Sequence, residues 1–235
     1  MQAVIVAAGQ GRRLRPLIGD RPKALLELQG VSLISRSVAL LRGHGIEDIA
    51  VVVGYQQEQI ISHLQGQPVT YLYNPFYGIT NNMASLWFAQ GFVSDDFLYL
   101  HSDLIFEPQL LAQLVNSGHP DALLVEEKAC DEEDMKVSVN DGRLVASSKE
   151  LAPEETFGEW TGLARFSASM AGALMEQIGA LLEAGRRQAY DTEAFTALAG
   201  AGHELAIESF TGIPWAEIDT PEDLEAARRL FPEAG

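Results

Sequence analysis

The first half of the chain alternates between short apolar runs rich in β-branched residues and longer stretches in which apolar residues recur at helical spacing. The short runs predict strands at residues 2–7, 48–53, 69–73, 97–101 and 122–126. The helical spacing predicts helices over residues 33–42 and 107–115. Because this alternation is typical of βαβ units, the pattern predicts an α/β fold with a mostly parallel, Rossmann-like central sheet.

The pattern changes after residue 126. Two short strand-like runs, 136–139 and 143–146, flank the turn Asn140-Asp141-Gly142 and predict a β-hairpin. We expect residues 127–165 to form an insertion whose hairpin is a lid over a binding site. Further helices are predicted at 168–184 and 191–199, and further strands near 205–208 and 215–218. No repeat or linker interrupts the pattern, so residues 1–235 are expected to form a single domain.

Composition limits the kinds of partner. Apolar residues make up 47% of the 235, which is enough for a full core. The 16 basic and 33 acidic residues give a net charge of -17, which argues against nucleic acid or an anionic membrane as partner. The single cysteine, Cys130, rules out an internal disulfide, and no apolar run is long enough to cross a bilayer. Since no leader pattern is evident, the expected location is the cytoplasm.

Against this acidic background, five of the sixteen basic residues lie between Arg12 and Lys23, just after the first predicted strand. Gly9 and Gly11 let the chain turn tightly there, with amide groups free to face a ligand. Together with guanidinium groups such as that of Arg13, these amides suit a polyphosphate. The loop is neither a dinucleotide fingerprint nor a common phosphate loop, because position 14 is leucine and the lysine follows a proline.

Two aspartates are candidates for a metal site. In open α/β sheets ligands bind beyond the carboxyl ends of the strands, and Asp103 and Asp219 each follow a predicted strand. Thr220, as N-cap, and Pro221, as first helical residue, predict that a helix starts directly after Asp219. Two carboxylates brought together in this way predict a Mg²⁺ site, because Mg²⁺ is usually held by one or two carboxylates and substrate phosphates. Nearby His101 is expected to be a buried strand histidine bonded to the backbone.

A second polar segment follows the third predicted strand. The amides of Asn81 and Asn82 and the hydroxyl of Ser85 suit the edge of a base or a ribose, since an amide offers a donor and an acceptor side by side. Helix capping explains any one of these residues equally well.

The spacing Gly-x-Gly-x-Arg, then Pro16, then Pro22-Lys23 resembles the signature of nucleotidyltransferases that join a nucleoside triphosphate to a phosphorylated small molecule. The stretch from Tyr73 to Leu86, with its Asn-Asn-x-x-Ser-Leu, is similar to the branch that makes CDP-linked compounds, the bacterial phosphocholine and phosphonate cytidylyltransferases among them. The resemblance implies a nucleotide-diphospho-sugar transferase type of fold, CTP as the nucleotide and Mg²⁺ as the cofactor.

The resemblance also implies roles for individual residues. Arg13 and Lys23 are catalytic residues that stabilise pyrophosphate, and Lys149 is a catalytic residue that holds the phosphate or phosphonate of the acceptor. Asp103 and Asp219 bind the metal. Nucleotide binding falls to residues of the first loop and of the second polar segment: Ala7, Ala8, Gly9, Gly11, Arg12, Asn81, Asn82 and Ser85.

The acceptor is predicted to be a small phosphorylated or phosphonylated compound. In the phosphonate branch a Ser-Lys pair and a Gly-Glu-x-x-Gly segment occur in this order, as Ser148-Lys149 and residues 158–162 do here. Carboxylates with aromatic rings beside them also suit an amine or a quaternary ammonium. The acceptor-binding candidates are Asp131, Asp134, Lys136, Glu159, Trp160 and Tyr190. The identity of the acceptor stays open, and a homodimer is one of the oligomeric states left open.

Three alternatives remain. A sugar-1-phosphate or cofactor nucleotidyltransferase would use UTP, dTTP or GTP on the same scaffold. A non-catalytic nucleotide sensor would share the fold but has no need of two metal-binding carboxylates. A dehydrogenase is disfavoured by the leucine at position 14.

Overall fold

The structure of the protein, a computed structural model, describes residues 1–232. Its strands are β1 (Gln2–Ala7), β2 (Glu27–Leu28), β3 (Val31–Ser32), β4 (Asp48–Val53), β5 (Thr70–Tyr73), β6 (Phe97–His101), β7 (Leu104–Phe106), β8 (Ala122–Glu126), β9 (Lys136–Asn140), β10 (Arg143–Ser148), β11 (Gly158–Phe166), β12 (Ala206–Phe210) and β13 (Trp215–Glu217). Its helices are α1 (Arg15–Ile18), α2 (Leu33–Gly43), α3 (Gln57–His63), α4 (Asn82–Trp87), α5 (Pro108–Val115), α6 (Ala168–Glu183), α7 (Asp191–Gly200) and α8 (Pro221–Leu230).

The central sheet has nine strands in the order β5-β4-β1-β6-β11-β8-β12-β10-β9. Strands β4, β1 and β6 are parallel, and Val4 in β1 pairs with Ala50 on one side and with Tyr99 on the other. These strands are buried along almost their whole length, as expected for strands covered on both faces. The predicted α/β fold is therefore confirmed, and the carboxyl ends of β1 and β6 lie side by side.

The sheet is mixed rather than mostly parallel. Strand β11 lies between β6 and β8 and runs antiparallel to both. The sequence pattern does not predict this strand, because Gly158 and Gly162 interrupt it, and residues 127–165 therefore contribute a central strand as well as a peripheral segment. The predicted hairpin is present, with Asp141 and Gly142 at positive φ between β9 and β10. Its role as a lid stays a prediction.

Five strands form a closed ring of pairings at one end of the sheet. β8 pairs with β11, β11 with β9, β9 with β10, β10 with β12, and β12 again with β8. The ring closes tightly at Gly158, where an added Cβ would lie 2.0 Å from the carbonyl oxygen of Glu126. Glycine is required there because no side chain fits between the two strands.

Helices cover both faces of the sheet. Ile5 of β1 packs in the core shared with α2 and α5, and its neighbour Val6 packs in the core shared with α4, α6 and α7. Each such buried aliphatic side chain contributes roughly 1.5–3 kcal/mol. The helices predicted at 33–42 and 107–115 are confirmed as α2 and α5. Helix α3 is not predicted, because Ile60 is its single buried residue and gives no apolar period.

Among the helices of the described chain, none combines the length and the apolar character that crossing a membrane requires.

Candidate active site

A cleft of about 720 Å³ opens at the carboxyl ends of β1 and β6. Segments that are far apart in sequence form its walls: the loop after β1, the start of α4, the turn after β6, the start of α7, the turn between β13 and α8, and the region of β9 to β11. The cleft lies where an open α/β sheet places its ligand.

The loop after β1 forms one wall. Gly11 has φ +53°, and an added Cβ would lie 3.1 Å from the Cβ of Lys23, so the turn and the approach of the lysine both favour glycine. Leu14 is fully buried and anchors the loop, while Arg12 and Arg13 stay exposed. Hence the loop presents cations to the cleft from a fixed backbone.

Lys23 lies between the two predicted metal carboxylates. Its Nζ is 2.5 Å from Oδ2 of Asp103 and also bonds Asp219, which Arg13 contacts as well. Burial alone would lower the pKa of Lys23, but the charges of the two aspartates raise it above its ordinary value. Burial alone would raise the pKa of Asp219, but Lys23 and Arg13 lower it. The structure thus gathers the cationic loop and both carboxylates around one ammonium group.

A strand pairing on one side and a helix cap on the other hold Asp219 in place. Strand β13 pairs with β7, and the amide of Ile218 donates to the carbonyl of Asp103 at 3.0 Å, so the two acidic corners lie side by side. Thr220 and Asp223 form a capping box at the start of α8, as the predicted N-cap requires, and Asp223 also accepts from the amide of Asp219.

The donor set fits a hard divalent cation. Oδ1 of Asp103 is buried and has no hydrogen-bond partner within residues 1–232. Carboxylate oxygens of Asp103 and Glu217 lie within 4.8 Å of each other, beside the imidazole of His101. The bond of His101 to Asp191 keeps this imidazole protonated and out of the ligand set. Loss of hydration in the cleft and repulsion from Asp103 raise the pKa of Glu217 to about 7, although its side chain opens onto the cleft. Glu217 is absent from the sequence prediction; its signal is its position two residues before Asp219 at a strand end.

The start of α4 forms the opposite wall and contains the three predicted nucleotide-binding residues. Asn81 caps the helix by accepting from the amide of Asn82 at 2.9 Å. Asn82 Oδ1 accepts from the amide of Asp191 at 3.0 Å, and Ser85 Oγ accepts from Asn74 Nδ2 at 3.1 Å. All three residues line the cleft, and each also has a structural bond of its own.

His101 has a different partner from the one expected. Its Nε2 lies 2.7 Å from Oδ2 of Asp191, whereas the sequence suggested a backbone partner. Burial alone would lower the pKa of His101, but Asp191 raises it to about 9, so the imidazole is protonated at neutral pH. Gly162 has φ +80°, and a Cβ there would lie 2.8 Å from Nδ1, so the ring fits only against glycine.

The remaining side of the cleft, which we call the acceptor wall, is formed by Asp134, Lys149, Glu159, Trp160 and Tyr190. These are five of the residues that the sequence assigned to the acceptor. Lys149 lines the same cleft as Asp219, and its positive charge contributes, after Lys23 and Arg13, to lowering the pKa of Asp219.

Two predicted acceptor residues lie outside the lining of the cleft. The ammonium of Lys136 is buried and donates to the carbonyl of Lys149 at 2.7 Å, so it holds β9 to the end of β10. Asp131 is exposed and accepts from the amide of Glu133 at 2.8 Å, which is a turn interaction. Both polar groups are used within the chain, and we assign neither residue to the acceptor.

Lys128 is a residue that the sequence analysis missed. Its Nζ lies 2.7 Å from Oε2 of Glu159 and 3.1 Å from Oδ2 of Asp134. Burial raises the pKa of Glu159 to about 7, with Lys128 opposing the rise and Asp134 adding to it. No local sequence pattern reveals this pairing, because the partners come from different strands and loops.

A cationic glycine loop that faces two carboxylates at the carboxyl edge of an open α/β sheet places the chain among the nucleotide-binding α/β proteins. Residues 3–197 match the family model described as the MobA-like NTP transferase domain, and the chain belongs to that family. The resemblance to nucleotidyltransferases in its sequence is thereby confirmed.

Three curated relatives align over almost the whole chain. The "Bifunctional IPC transferase and DIPP synthase" of Rubrobacter xylanophilus is 31% identical over 97% of this chain and 51% of its own length. The "CMP-5'-(3-aminopropyl)phosphonate synthase" of Streptomyces rubellomurinus is 28% identical over 98% of this chain and 39% of its own. The "CTP:phosphoglutamine cytidylyltransferase" of Campylobacter jejuni is 26% identical over 96% and 98%. The chain thus spans about half, or less, of the first two relatives.

Two solved structures share the fold. The CTP:phosphocholine cytidylyltransferase of Streptococcus pneumoniae superposes with a TM-score of 0.80 at 22% identity, covering 97% of this chain and 98% of that one. The inositol-1-phosphate CTP transferase of T. maritima superposes with a TM-score of 0.80 at 23% identity, covering 100% and 98%. At these identities the likeness establishes the fold.

Proposed function

We propose that this protein transfers CMP from CTP to a small phosphorylated or phosphonylated acceptor and releases pyrophosphate. The observation that carries the proposal is the convergence of Lys23, Asp103 and Asp219 beside the glycine loop in one cleft. Membership of an NTP transferase family supports nucleotidyl transfer. The activities for which the Streptomyces and Campylobacter relatives are named support CTP and an acceptor of this kind.

The reaction needs alignment and charge neutralisation rather than a general base. An acceptor oxygen, already anionic, forms a bond to the α-phosphorus of CTP. The bond from that phosphorus to the bridging oxygen breaks, and pyrophosphate leaves with the electron pair. Arg13 and Lys23 are the cations that face the leaving group, and such preorganised charge is the main source of acceleration in sites of this type.

Magnesium is the proposed cofactor. The carboxylates of Asp103 and Asp219 would hold it, with Glu217 beside them, and the unpartnered Oδ1 of Asp103 supports this assignment. When bound, the ion neutralises phosphate charge and polarises the reacting phosphoryl group. Calorimetric titration of the wild type and of Asp103→Asn with MgCl₂ tests the assignment without turnover, and equal affinities would remove Asp103 from the metal site.

Two further roles complete the proposal. Lys149 binds the phosphate or phosphonate of the acceptor, supported by its place on the acceptor wall and its effect on Asp219. The start of α4 binds the base or ribose through Asn82, which lines the cleft and whose Nδ2 lies 3.2 Å from Nε2 of His101. Replacement of Lys149 by methionine should raise the KM for the acceptor with little change in the KM for CTP.

The decisive experiment measures pyrophosphate release with CTP, UTP, dTTP and GTP in turn, each with a panel of phosphorylated amines, polyols and phosphonates. We expect release with CTP and at least one acceptor, dependent on Mg²⁺. Preference for UTP, dTTP or GTP would favour a sugar-1-phosphate or cofactor nucleotidyltransferase, and binding of CTP with no turnover on any acceptor would favour a sensor. Homodimerisation and a cytoplasmic location stay predictions.

A further inference from the structure

The acidic corner of the acceptor wall already contains a cation of the protein itself. Lys128 contacts Glu159 at 2.7 Å and Asp134 at 3.1 Å, and the side chains of these two acids are only 15% and 14% exposed. The lysine side chain is 34% exposed, so it reaches the corner from the protein surface. An ammonium group of a ligand would therefore meet carboxylates whose charge is largely satisfied.

The other acids near this wall are also paired. Glu133, at the cleft lining, lies 3.3 Å from Nζ of Lys149. Asp191, at the start of α7, is only 1% exposed and bonds the imidazole of His101. Within residues 1–232, the acids on the acceptor side of the cleft thus have cationic partners, whereas Glu217 belongs to the metal corner.

The aromatic residues of the wall add little for a cation. Trp160 is 4% exposed, and its ring packs edge to face against His101 and Phe195, with centroids 6.2 and 5.6 Å away. A ring covered in this way offers little of its face to a cation. Tyr190 is exposed, and within residues 1–232 no other aromatic ring pairs with it, whereas a quaternary ammonium prefers a cage of several rings.

The charges in this corner nearly cancel. Burial raises the pKa of Glu159 to about 7, so near neutral pH this acid is partly protonated. Lys128 then balances Asp134, whose pKa stays lowered despite burial because the amide of Asp131 and Lys128 stabilise its charge. A neutral ligand group that donates hydrogen bonds to carboxylate oxygens suits such a corner better than a second cation.

We propose that Lys128 sets the acceptor specificity of this site, so that the protein takes acceptors with a neutral, hydroxyl-bearing tail, such as a hydroxyalkyl phosphonate or a phosphorylated polyol. The proposal rests on the function proposed above and names its acceptor class. A hydroxyl donates to Asp134 or Glu159 without disturbing their bonds to Lys128. An ammonium tail must either displace Lys128 or lie close to it, and two like charges at such distances repel strongly in a partly buried site.

A matched pair of ligands tests the proposal. Hydroxyethylphosphonate and aminoethylphosphonate have chains of the same length and differ in the terminal group, which is a neutral hydroxyl in one and an ammonium in the other. Their affinities for the protein are measured by isothermal titration calorimetry with MgCl₂ present, and their turnover with CTP is measured in parallel. The variants are Lys128→Met, which removes the charge, Lys128→Arg, which keeps it, and Arg143→Met, which removes the cation of an exposed ion pair with Glu204 outside the cleft lining.

We expect the wild type to bind the hydroxy compound at least about tenfold more tightly, and Lys128→Met to shift this ratio at least about tenfold towards the amine. Lys128→Arg and Arg143→Met should keep the wild-type ratio. A wild type that prefers the amine, or an unchanged ratio in Lys128→Met, overturns the proposal.

The two readouts separate this proposal from the proposed function. Binding in the expected ratio with no pyrophosphate release from CTP would refute the function and uphold the role of Lys128 in ligand choice. Failure of both phosphonates to bind overturns the assigned acceptor class.

Discussion

Replacement of Lys23 by methionine tests how the cleft keeps two carboxylates close together. The ammonium is 12% exposed and bonds both Asp103 and Asp219, which are 16% and 31% exposed. Methionine keeps most of the volume of the side chain and removes the charge. The two acids then face each other with Arg13 as the remaining partner of Asp219.

The expected cost follows from this geometry. Removing one partner of a buried ion pair typically costs about 3–5 kcal/mol, because the other charge is left buried and uncompensated. Since the exposed Arg13 still partners Asp219, we expect the lower end, about 3 kcal/mol without metal. For a chain of this size that corresponds to a fall in Tm of roughly 6–12 °C.

Magnesium should reverse much of this loss. In the wild type a bound ion would share the two carboxylates with the ammonium of Lys23, whereas in the variant it would meet Asp103 without that ammonium and Asp219 paired with Arg13. We therefore expect MgCl₂ to raise the Tm of Lys23→Met by more than it raises that of the wild type, because at a given concentration a ligand stabilises the folded state more when it binds more tightly. Turnover should nevertheless fall by roughly 10²–10³, since a cation that faces pyrophosphate is lost.

The assay is thermal unfolding followed by circular dichroism, first with EDTA and then with millimolar MgCl₂. Lys23→Arg, which keeps the charge, and Arg143→Met, which breaks an exposed pair, are the controls and should stay near the wild-type Tm in EDTA. An unchanged Tm for Lys23→Met in EDTA, or equal magnesium shifts in variant and wild type, would refute the reasoning.

Three other outcomes are expected. Asp103→Asn and Asp219→Asn should each lower kcat by several orders of magnitude with the fold intact by circular dichroism; near-normal turnover in either would remove that residue from the metal site. Gly11→Ala should destabilise by about 1–2 kcal/mol and weaken CTP binding, because alanine at φ +53° is strained and its Cβ crowds Lys23; a wild-type urea midpoint and CTP affinity would contradict this. Protonated His101, with its pKa raised to about 9, should add on the order of 3 kcal/mol to the free energy of unfolding. This contribution is complete below the ordinary histidine pKa of 6.5 and is lost as the pH rises through 9. Urea unfolding of metal-free protein across this range should therefore show falling stability in the wild type and a flatter profile in Asp191→Asn, and parallel profiles would argue against the pair.

The parts of the site that sequence predicts are those with a local signal. Asp219 reaches the site through β13, which pairs antiparallel with β7 outside the central sheet. The glycine loop and Asp103 instead follow β1 and β6, and these parallel strands bring their carboxyl ends to one edge of the sheet. Their convergence therefore follows from the strand pattern together with one topological rule. The cap at Thr220 is equally local, since it depends on residues three positions apart.

The parts that sequence misses depend on contacts between distant segments. Strand β11 is interrupted by two glycines, and both are required by neighbours that sequence does not reveal: Gly158 by the backbone of Glu126 and Gly162 by the ring of His101. The roles of Asp191 and Lys128 are missed for the same reason, because each depends on a partner that lies on another element. Acidic residues near a cleft predict free negative charge only when such partners are absent.

Strand β11 has one more consequence for the molecule. Its first residues carry Glu159 and Trp160 of the acceptor wall, and further along Leu163 pairs with Leu100 of β6, three residues before Asp103. A single nine-residue strand therefore links the proposed acceptor surface to the strand that leads to the proposed metal site. Between the two surfaces lies Gly162, at φ +80° and at a shift in the pairing with β8, so the proposed spacing from acceptor tail to reacting end depends on this one irregularity of the strand.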